Sequence, residues 1–302
     1  MSTKSVLLIG ASGNLGTPIL QALIADPGID VTILSRESST STFPAGVPVK
    51  KADYNSHDSL VAAFKGHEVI VSNVATLAAG DQVKFVEAAV DAGVKRFYPT
   101  EFGSIASSDD PKLVTEWWDR VGFHGKYEVY LRLKELSDAG KIEWTLITNG
   151  PFFDWGLHAG FLGLKLKEKK ITIYGSGNQL IATTNLAHIA KATAWTITHP
   201  EETKNKAVRF YSYKVSQNQV LEIVEKITGT KWAVERISIE DHIKNGEAGI
   251  KAGNPHAGYQ VMQGLIFDEE DRFGSNYAKN EVPITDEQPL EKAIEAALKS
   301  VA

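Results

Sequence analysis

Short apolar segments alternate with amphipathic segments through the first half of the chain, and this alternation predicts strands separated by helices. The apolar segments lack the polar residue at every second position that a half-exposed strand has, so they are typical of a parallel sheet covered on both faces. The predicted strands are residues 6–9, 31–34, 47–50, 69–72, 96–98 and 142–147. Apolar residues at helical spacing predict helices at 17–25, 59–64, 82–92 and 127–136.

The pattern changes after Asn149. Residues 165–170 are rich in lysine and are interpreted as the solvated end of a helix. The remaining predicted elements are a helix at 184–197 that returns to the first domain, a strand at 208–213, a helix at 215–227, a strand at 232–237, an apolar core segment at 261–267 and a final helix at 286–301.

The composition of the 302 residues excludes several classes of protein. The formal net charge is −5, so the chain lacks the basic surface of a nucleic-acid-binding protein. Cysteine is absent, and the eight histidines are scattered without the spacing of metal ligands, so we expect no metal. No apolar segment is long enough for a secretory signal or a membrane helix, which favours a cytoplasmic protein with no membrane or nucleic-acid partner.

A glycine-rich segment follows the first predicted strand and opens the first predicted helix. It contains Gly10, Gly13 and Gly16, with the intervening Ser12, Asn14 and Leu15, and its spacing is G-x-x-G-x-x-G. Glycines in this context permit a tight turn and let backbone N–H groups approach a pyrophosphate at the helix N-terminus. The segment therefore predicts a dinucleotide site.

The residue at the end of the second strand indicates which dinucleotide is bound. An acidic residue there would bind the ribose 2′-hydroxyl of NAD, whereas this strand ends in Arg36. Because a guanidinium can pair with a 2′-phosphate, Arg36 favours NADPH/NADP as the cofactor.

Together these features predict an α/β fold: a doubly wound parallel Rossmann sheet with a smaller, interleaved C-terminal substrate lobe. We expect residues 1–155 to form the NADP-binding domain, with a return segment near 180–197, and residues 156–302 to form mainly the substrate-binding lobe.

Three segments resemble the NmrA-like and isoflavone reductase-like family, an atypical branch of the short-chain dehydrogenases. Residues 92–103 read Ala-Gly-Val-Lys-Arg-Phe-Tyr-Pro-Thr-Glu-Phe-Gly and resemble the family's Pro-Ser-Glu-Phe-Gly segment, with Thr100 in the serine position. Residues 123–129 read Phe-His-Gly-Lys-Tyr-Glu-Val and resemble its Phe-x-x-Lys-x-x-Ile or Val segment. Residues 144–153, with Trp-Thr followed by Asn-Gly-Pro-Phe-Phe, resemble a third segment. The family includes phenylcoumaran benzylic ether and pinoresinol–lariciresinol reductases.

This resemblance implies a catalytic lysine, which falls on Lys126, and a nicotinamide that lies near Glu101, Phe102 and Lys126. A lysine suits the task, because burial beside a positive ring would lower its pKa until it can exchange a proton near neutral pH. Tyr130 and Lys134 offer an alternative, since they fit the Tyr-x-x-x-Lys dyad of short-chain dehydrogenases. The serine that accompanies this dyad is absent at the expected distance upstream.

The sequence thus favours an NADPH-dependent reductase of a small aromatic or conjugated substrate such as an enone, imine or quinone methide. Phe152, Phe153 and Trp155 follow the sixth strand and are candidates for a substrate wall, although they could equally be core residues. Two other functions stay open: a redox-sensing regulator that binds a dinucleotide and a protein partner without turnover, and an epimerase or dehydratase that retains its cofactor. A homodimer is also left open.

Overall fold

In a computed structural model, which describes residues 3–103, 111–276, 280–285 and 288–300, strands and helices alternate through the first half of the chain. The strands are β1 Lys4–Ile9, β2 Ile29–Arg36, β3 Val49–Ala52, β4 Val69–Ser72, β5 Arg96–Tyr98, β6 Glu143–Thr148, β7 Leu164–Lys165, β8 Lys170–Tyr174, β9 Ile181–Thr183, β10 Lys206–Arg209, β11 Tyr213–Val215 and β12 Ala233–Ile237. The α-helices are α1 Gly16–Ala25, α2 His57–Phe64, α3 Gln82–Asp91, α4 Pro111–Val121, α5 His124–Asp138, α6 Phe153–Ala159, α7 Leu186–Thr198, α8 Pro200–Thr203, α9 Gln217–Thr228, α10 Ile239–Lys251, α11 Ala257–Ile266 and α12 Leu290–Lys299.

Seven strands form the central sheet in the order β10-β6-β5-β4-β1-β2-β3. The pairs among β1 to β6 are all parallel. This confirms the predicted doubly wound Rossmann sheet. The strand order reverses direction between β1 and β4, and ligands of such sheets bind beyond the carboxyl ends of the strands at that point.

The interior strands are buried on both faces, as their unbroken apolar sequences predict. Residues 6–9 of β1 are at most 1% exposed, and all four residues of β4 are buried. At roughly 25 cal/mol per Å² of apolar surface removed from water, burial of these side chains is the main term that stabilises the sheet. A rigid sheet then fixes the loops at its carboxyl edge.

The chain divides into two compact units. The first comprises Met1–Phe102, Phe123–Ile147 and Ile189–Val208, and therefore holds the central sheet and most of α7. The second comprises Gly103–Gly122, Thr148–His188 and Arg209–Ala302. The assignment of the cofactor to residues 1–155 and of the substrate mainly to residues 156–302 stays a prediction.

The second unit contains two small sheets. In one, β9 and β11 pair antiparallel; in the other, β8 lies between β12, which runs parallel to it, and β7, which runs antiparallel. Helices α10 and α11 pack on each other, and glycines allow the close approach: a Cβ on Gly264 would lie 2.4 Å from the Ile243 side chain.

Three expectations from the sequence are wrong in detail. Residues 165–170 do not end a helix; they span β7, a short 3₁₀ turn and the start of β8, with Lys169 at a φ of +49°. The predicted strand 208–213 is two strands, because Phe210 N still donates to Thr148 O beside β6, whereas Ser212 N donates to Thr183 O beside β9. The third strand starts at Val49 because Pro48 before it has no N–H to donate.

The final helix begins at Leu290, later than the predicted 286, and residues 286–287 and 301–302 lie outside the described residues. A 3₁₀ helix at Thr76–Asp81 and helix α10 were not predicted. In the described parts of the chain, none of the helices has both the length and the hydropathy that a membrane span requires.

Candidate active site

The glycine-rich segment connects the end of β1 to the start of α1. Gly10 has a φ of +79°, and a Cβ there would lie 2.1 Å from the backbone oxygen of Asn73. A Cβ on Gly16 would lie 2.0 Å from the backbone oxygen of Gly10. Packing within the protein therefore requires glycine at both of these positions.

Gly13 differs, because packing within the protein does not require glycine there. A Cβ at this position would lie 3.5 Å from the backbone oxygen of Gly10, which is an ordinary contact. Gly13 is exposed with its neighbours Ser12 and Asn14, whereas Leu15 is buried. The exposed backbone of this loop lies at the N-terminus of α1, whose first turn carries no acid. Such a surface attracts a phosphate through backbone N–H groups and the helix dipole.

Arg36 ends β2, and its side chain is exposed. Among the described residues it forms no ion pair, and Lys51 contacts it only through the Arg36 backbone oxygen, at 3.3 Å. Its guanidinium is therefore available to an added anion at the carboxyl end of the strand next to the glycine loop.

Thr100 fixes the chain where β4 and β5 end. Its hydroxyl donates to the Ser72 backbone oxygen at 2.9 Å and accepts from the Val74 N–H at 2.8 Å. Its own N–H donates to Oε1 of Gln82 at 2.7 Å. Threonine therefore keeps the hydroxyl that the family's serine would supply, and this hydrogen-bond network sets the path of the residues that follow.

Glu101 and Phe102 follow this network, and both side chains are buried. Phe102 has a φ of +40°, a left-handed conformation that costs a non-glycine residue of order 1 kcal/mol or more. Lys126, in the first turn of α5, donates a hydrogen bond of 2.6 Å from Nζ to the backbone oxygen of Glu101. The structure thus brings together Glu101 and Lys126, two of the predicted site residues, just beyond the carboxyl end of β5.

The two side chains of this pair have shifted pKa values. Burial lowers the pKa of the Lys126 amine, and the carboxylate of Glu101 opposes that effect. Burial likewise raises the pKa of the Glu101 carboxyl, and the charge of Lys126 opposes it. Groups with perturbed pKa values at the binding edge of a sheet are candidates for acid–base chemistry.

Two glycines bring the first turn of α5 against the segment after β4. A Cβ on Gly125 would lie 2.4 Å from the backbone nitrogen of Gly80, so the two backbones touch. This contact, which sequence analysis missed together with Asn73 and Gln82, sets the position of Lys126. In the sequence, the one local indication of this contact is that Gly125 directly precedes Lys126.

Gly125→Ala is therefore expected to destabilise the protein by about 1–3 kcal/mol, the usual cost of forcing an extra methyl group into a closed contact. Gly80→Ala is the matched control, since a Cβ there would lie an ordinary 3.6 Å from Gly125 Cα. The comparison is made by denaturant unfolding of the two variants. Equal stability of both would show that the contact does not hold α5 in place.

Each residue of the alternative dyad has a contact outside the dyad. Lys134 pairs with Asp138 at 3.2 Å in an exposed ion pair. Tyr130 packs edge-on against Trp144, with ring centroids 5.5 Å apart. The ion pair with Asp138 holds the lysine of the dyad at the surface.

The three candidate substrate residues lie in the second unit and differ in burial. Phe153 is fully buried and packs edge-on against Tyr213, with centroids 4.9 Å apart. Phe152 and Trp155 are half-buried, and their ring centroids lie 6.3 Å apart. A contact with substrate thus stays a prediction for Phe152 and Trp155, whereas Phe153 belongs to the core.

A cavity of about 700 Å³ opens at the opposite, amino edge of the sheet. Its charged lining includes Arg96, which is paired with Glu143 at 2.6 Å, and Glu68, which is paired with Lys95 at 2.6 Å. The predicted site residues do not line it. In the described part of the chain, histidines and acids do not gather in groups that could hold a metal.

Comparison with known proteins gives relatives over nearly the whole chain. "Oxidoreductase aprR" of Aspergillus flavus is 36% identical over 243 residues, covering 79% of each chain. Pinoresinol reductase 1 of Arabidopsis thaliana is 29% identical over 288 residues, covering 88% of each chain. The solved structure of AtPrR2 with NADP+ and (+)-pinoresinol has the same fold, with a TM-score of 0.75 at 23% identity over the full length of both chains.

The model of the NmrA-like family matches residues 2–256. This range includes the glycine loop and all three segments on which the resemblance rests. The resemblance is thereby confirmed: the chain belongs to the NmrA-like family.

Proposed function

We propose that this protein is an NADPH-dependent reductase that transfers hydride to a small aromatic or conjugated substrate, such as an enone, imine or quinone methide. The observation that carries the proposal is the half-buried Lys126, held by the Glu101 backbone oxygen beyond the carboxyl end of β5. Relatives named as an oxidoreductase and a pinoresinol reductase support the same class of reaction.

The residues of the glycine loop fit the proposed cofactor. The pyrophosphate would lie against the exposed backbone of residues 12–14, where a Cβ on Gly13 would meet no protein atom closer than 3.5 Å. Arg36 would hold the 2′-phosphate with a guanidinium that no described acid engages. NADPH, when bound, supplies the hydride; the protein supplies orientation, charge and the proton.

Lys126 is the residue we assign to the proton. Because burial lowers its pKa, the ammonium gives up a proton more readily than an exposed lysine does. The hydrogen bond to the Glu101 backbone oxygen fixes the position of Nζ before the reaction. The entropy cost of orienting the amine is therefore not added to the barrier for proton transfer.

The test is consumption of NADPH by the purified protein with a panel of enones, imines and quinone methides, followed by product analysis. We expect NADPH oxidation with at least one member of the panel. Tight NADPH binding without oxidation would favour the regulator, and conversion of a substrate without net NADPH consumption would favour the epimerase or dehydratase.

Arg36→Ala is expected to weaken NADPH binding by roughly 10–100-fold, since a hydrogen bond to a charged group contributes about 1.5–3 kcal/mol. NADH binding should not change, because NADH has no 2′-phosphate. Arg36→Lys keeps the positive charge, so its NADPH affinity should fall less than that of Arg36→Ala. Calorimetry with both cofactors measures these values, and equal dissociation constants for NADPH and NADH in the unmodified protein would exclude the assignment.

A further inference from the structure

The side chain of Glu101 is buried, and the backbone oxygen of the same residue accepts the hydrogen bond of Lys126. The residue is 5% exposed, and its Oε1 atom is buried without a hydrogen-bond partner in the described part of the chain. A ligand hydroxyl could not reach Oε1 without movement of the protein. A buried carboxyl oxygen without a hydrogen-bond partner costs free energy, so the presence of Oε1 here needs an explanation.

Lys126 is the group that the Glu101 carboxyl affects. Nζ bonds to the backbone oxygen of Glu101, whereas no ion pair within 4.0 Å joins the two side chains. Glu101 therefore contacts the lysine through its carbonyl and acts on it through the charge of its carboxyl.

In the described part of the chain, the charge of each member of the pair is the only charge that shifts the pKa of the other. His124 and Glu128, the neighbours of Lys126 on α5, are exposed, and neither is a cause of the pKa shifts of Lys126 or Glu101. Charged groups on the helices packed against α5 form ion pairs of their own, Asp81 with Lys84 and Glu87 with Arg132.

We propose that Glu101 is a positioning residue for Lys126, and that the two side chains together hold one transferable proton. The pair has no net charge either as carboxylate and ammonium or as carboxylic acid and amine, and the two forms contain the same number of protons. Each form avoids an isolated buried charge, which the protein interior strongly disfavours. The inference rests on the proposed reductase function, since hydride acceptance creates the demand for a proton.

The proton transfer balances without a further reactant. One N–H bond of the Lys126 ammonium breaks, its electron pair stays on the lysine nitrogen, and an O–H or N–H bond forms on the substrate oxygen or nitrogen that gains an electron pair as hydride is accepted. The pair is left as amine and carboxylate with one net negative charge, and a proton taken up from the bulk solvent returns it to the neutral form.

The first test measures the titration of Lys126 in the protein without cofactor or substrate. Reductive methylation at a series of pH values, read by peptide mass spectrometry, reports the amine fraction of each lysine. In Glu101→Gln the stabilising charge is lost, so the midpoint for Lys126 should move to lower pH. Its labelling rate near neutral pH should rise roughly tenfold, which corresponds to ~1.4 kcal/mol of lost charge interaction. Glu101→Asp, which retains the charge, should restore most of the original profile.

Glu68→Gln is the matched control. Glu68 pairs with Lys95 at 2.6 Å, but Lys95 has 71% of its side chain exposed, so solvent screens the charge. In this variant we expect little change in the labelling profile of Lys95 and no change in that of Lys126. An unchanged Lys126 profile in folded Glu101→Gln would overturn the proposal and leave Glu101 with a packing role alone.

A second measurement uses thermal stability and needs no reactivity. Lys126→Met leaves the Glu101 carboxyl buried without its cation, which raises the folded-state pKa of that carboxyl above the unfolded value. The protein should then lose stability as pH rises above the ordinary carboxyl range. Adding Glu101→Gln to Lys126→Met should raise Tm and remove this pH dependence. If the two substitutions instead lower Tm additively, the pairing is contradicted. If both tests succeed but NADPH is never oxidised, the reductase function fails while the pairing stands.

Discussion

Lys126→Ala is expected to lower kcat by about 10²–10⁴-fold, the usual contribution of a positioned general acid. The change removes the amine that Glu101 holds at 2.6 Å, and alanine at this position keeps the helix propensity of α5. NADPH oxidation with a substrate identified from the panel measures the effect. If the main role of the amine is to donate the proton, NADPH affinity, measured separately, should fall far less than kcat.

Lys134→Ala and Tyr130→Phe are the matched controls on the same helix. Lys134 forms an exposed ion pair with Asp138, which is worth at most about 1 kcal/mol. Tyr130→Phe keeps the ring that packs on Trp144 and removes only a hydroxyl. Both variants should stay within a few-fold of the unmodified enzyme. If these two changes abolish turnover and Lys126→Ala does not, the dyad is the catalyst and the assignment of Lys126 is wrong.

The sheet could be predicted because its signals are local. The segments at β4 and β5 are bounded by turn residues and contain few polar side chains, so both strands were predicted with the bounds that the structure has. The glycine spacing and the residue that ends β2 are likewise read directly along the chain. These are the features on which the cofactor proposal depends.

The placement of Lys126 could not be predicted in the same way. It depends on the contact between Gly80 and Gly125, which are far apart in sequence, and on the positive φ of Phe102, which is not a residue that favours this conformation. The resemblance to the family pointed to the lysine without indicating what holds it. The backbone oxygen of Glu101 as its partner emerges only from the fold.

The bounds and partners of the strands in the second half of the chain could not be predicted from local sequence patterns either. The segment 208–213, predicted as a single strand, contains the point where the chain stops pairing beside β6 and pairs beside β9. Alternation of polar and apolar residues does not reveal which neighbour a strand will pair with. The lysine-rich segment 165–170 was predicted to be solvated, and Lys165, Lys167 and Lys169 are indeed exposed, but charge alone does not distinguish a helix end from a turn between strands.

Gly13→Val is expected to abolish measurable NADPH binding, with a loss of roughly 100-fold or more, about 2.8 kcal/mol. The side chain would extend from the exposed backbone of the loop into the space that the pyrophosphate needs. The fold should be retained, because a Cβ at this position would lie 3.5 Å from the nearest protein atom and 3.9 Å from the Asn73 amide nitrogen. Binding is measured by calorimetry and stability by thermal unfolding.

Gly16→Ala provides the contrast within the same loop. A Cβ there would lie 2.0 Å from the backbone oxygen of Gly10, so this smaller substitution should lower Tm clearly, whereas Gly13→Val should change it little. The two variants thereby separate a glycine that the fold requires from a glycine that a ligand requires. Undiminished NADPH affinity in Gly13→Val would mean that the cofactor does not cross this loop. In that case both the dinucleotide site and the role given to Arg36 would have to be abandoned.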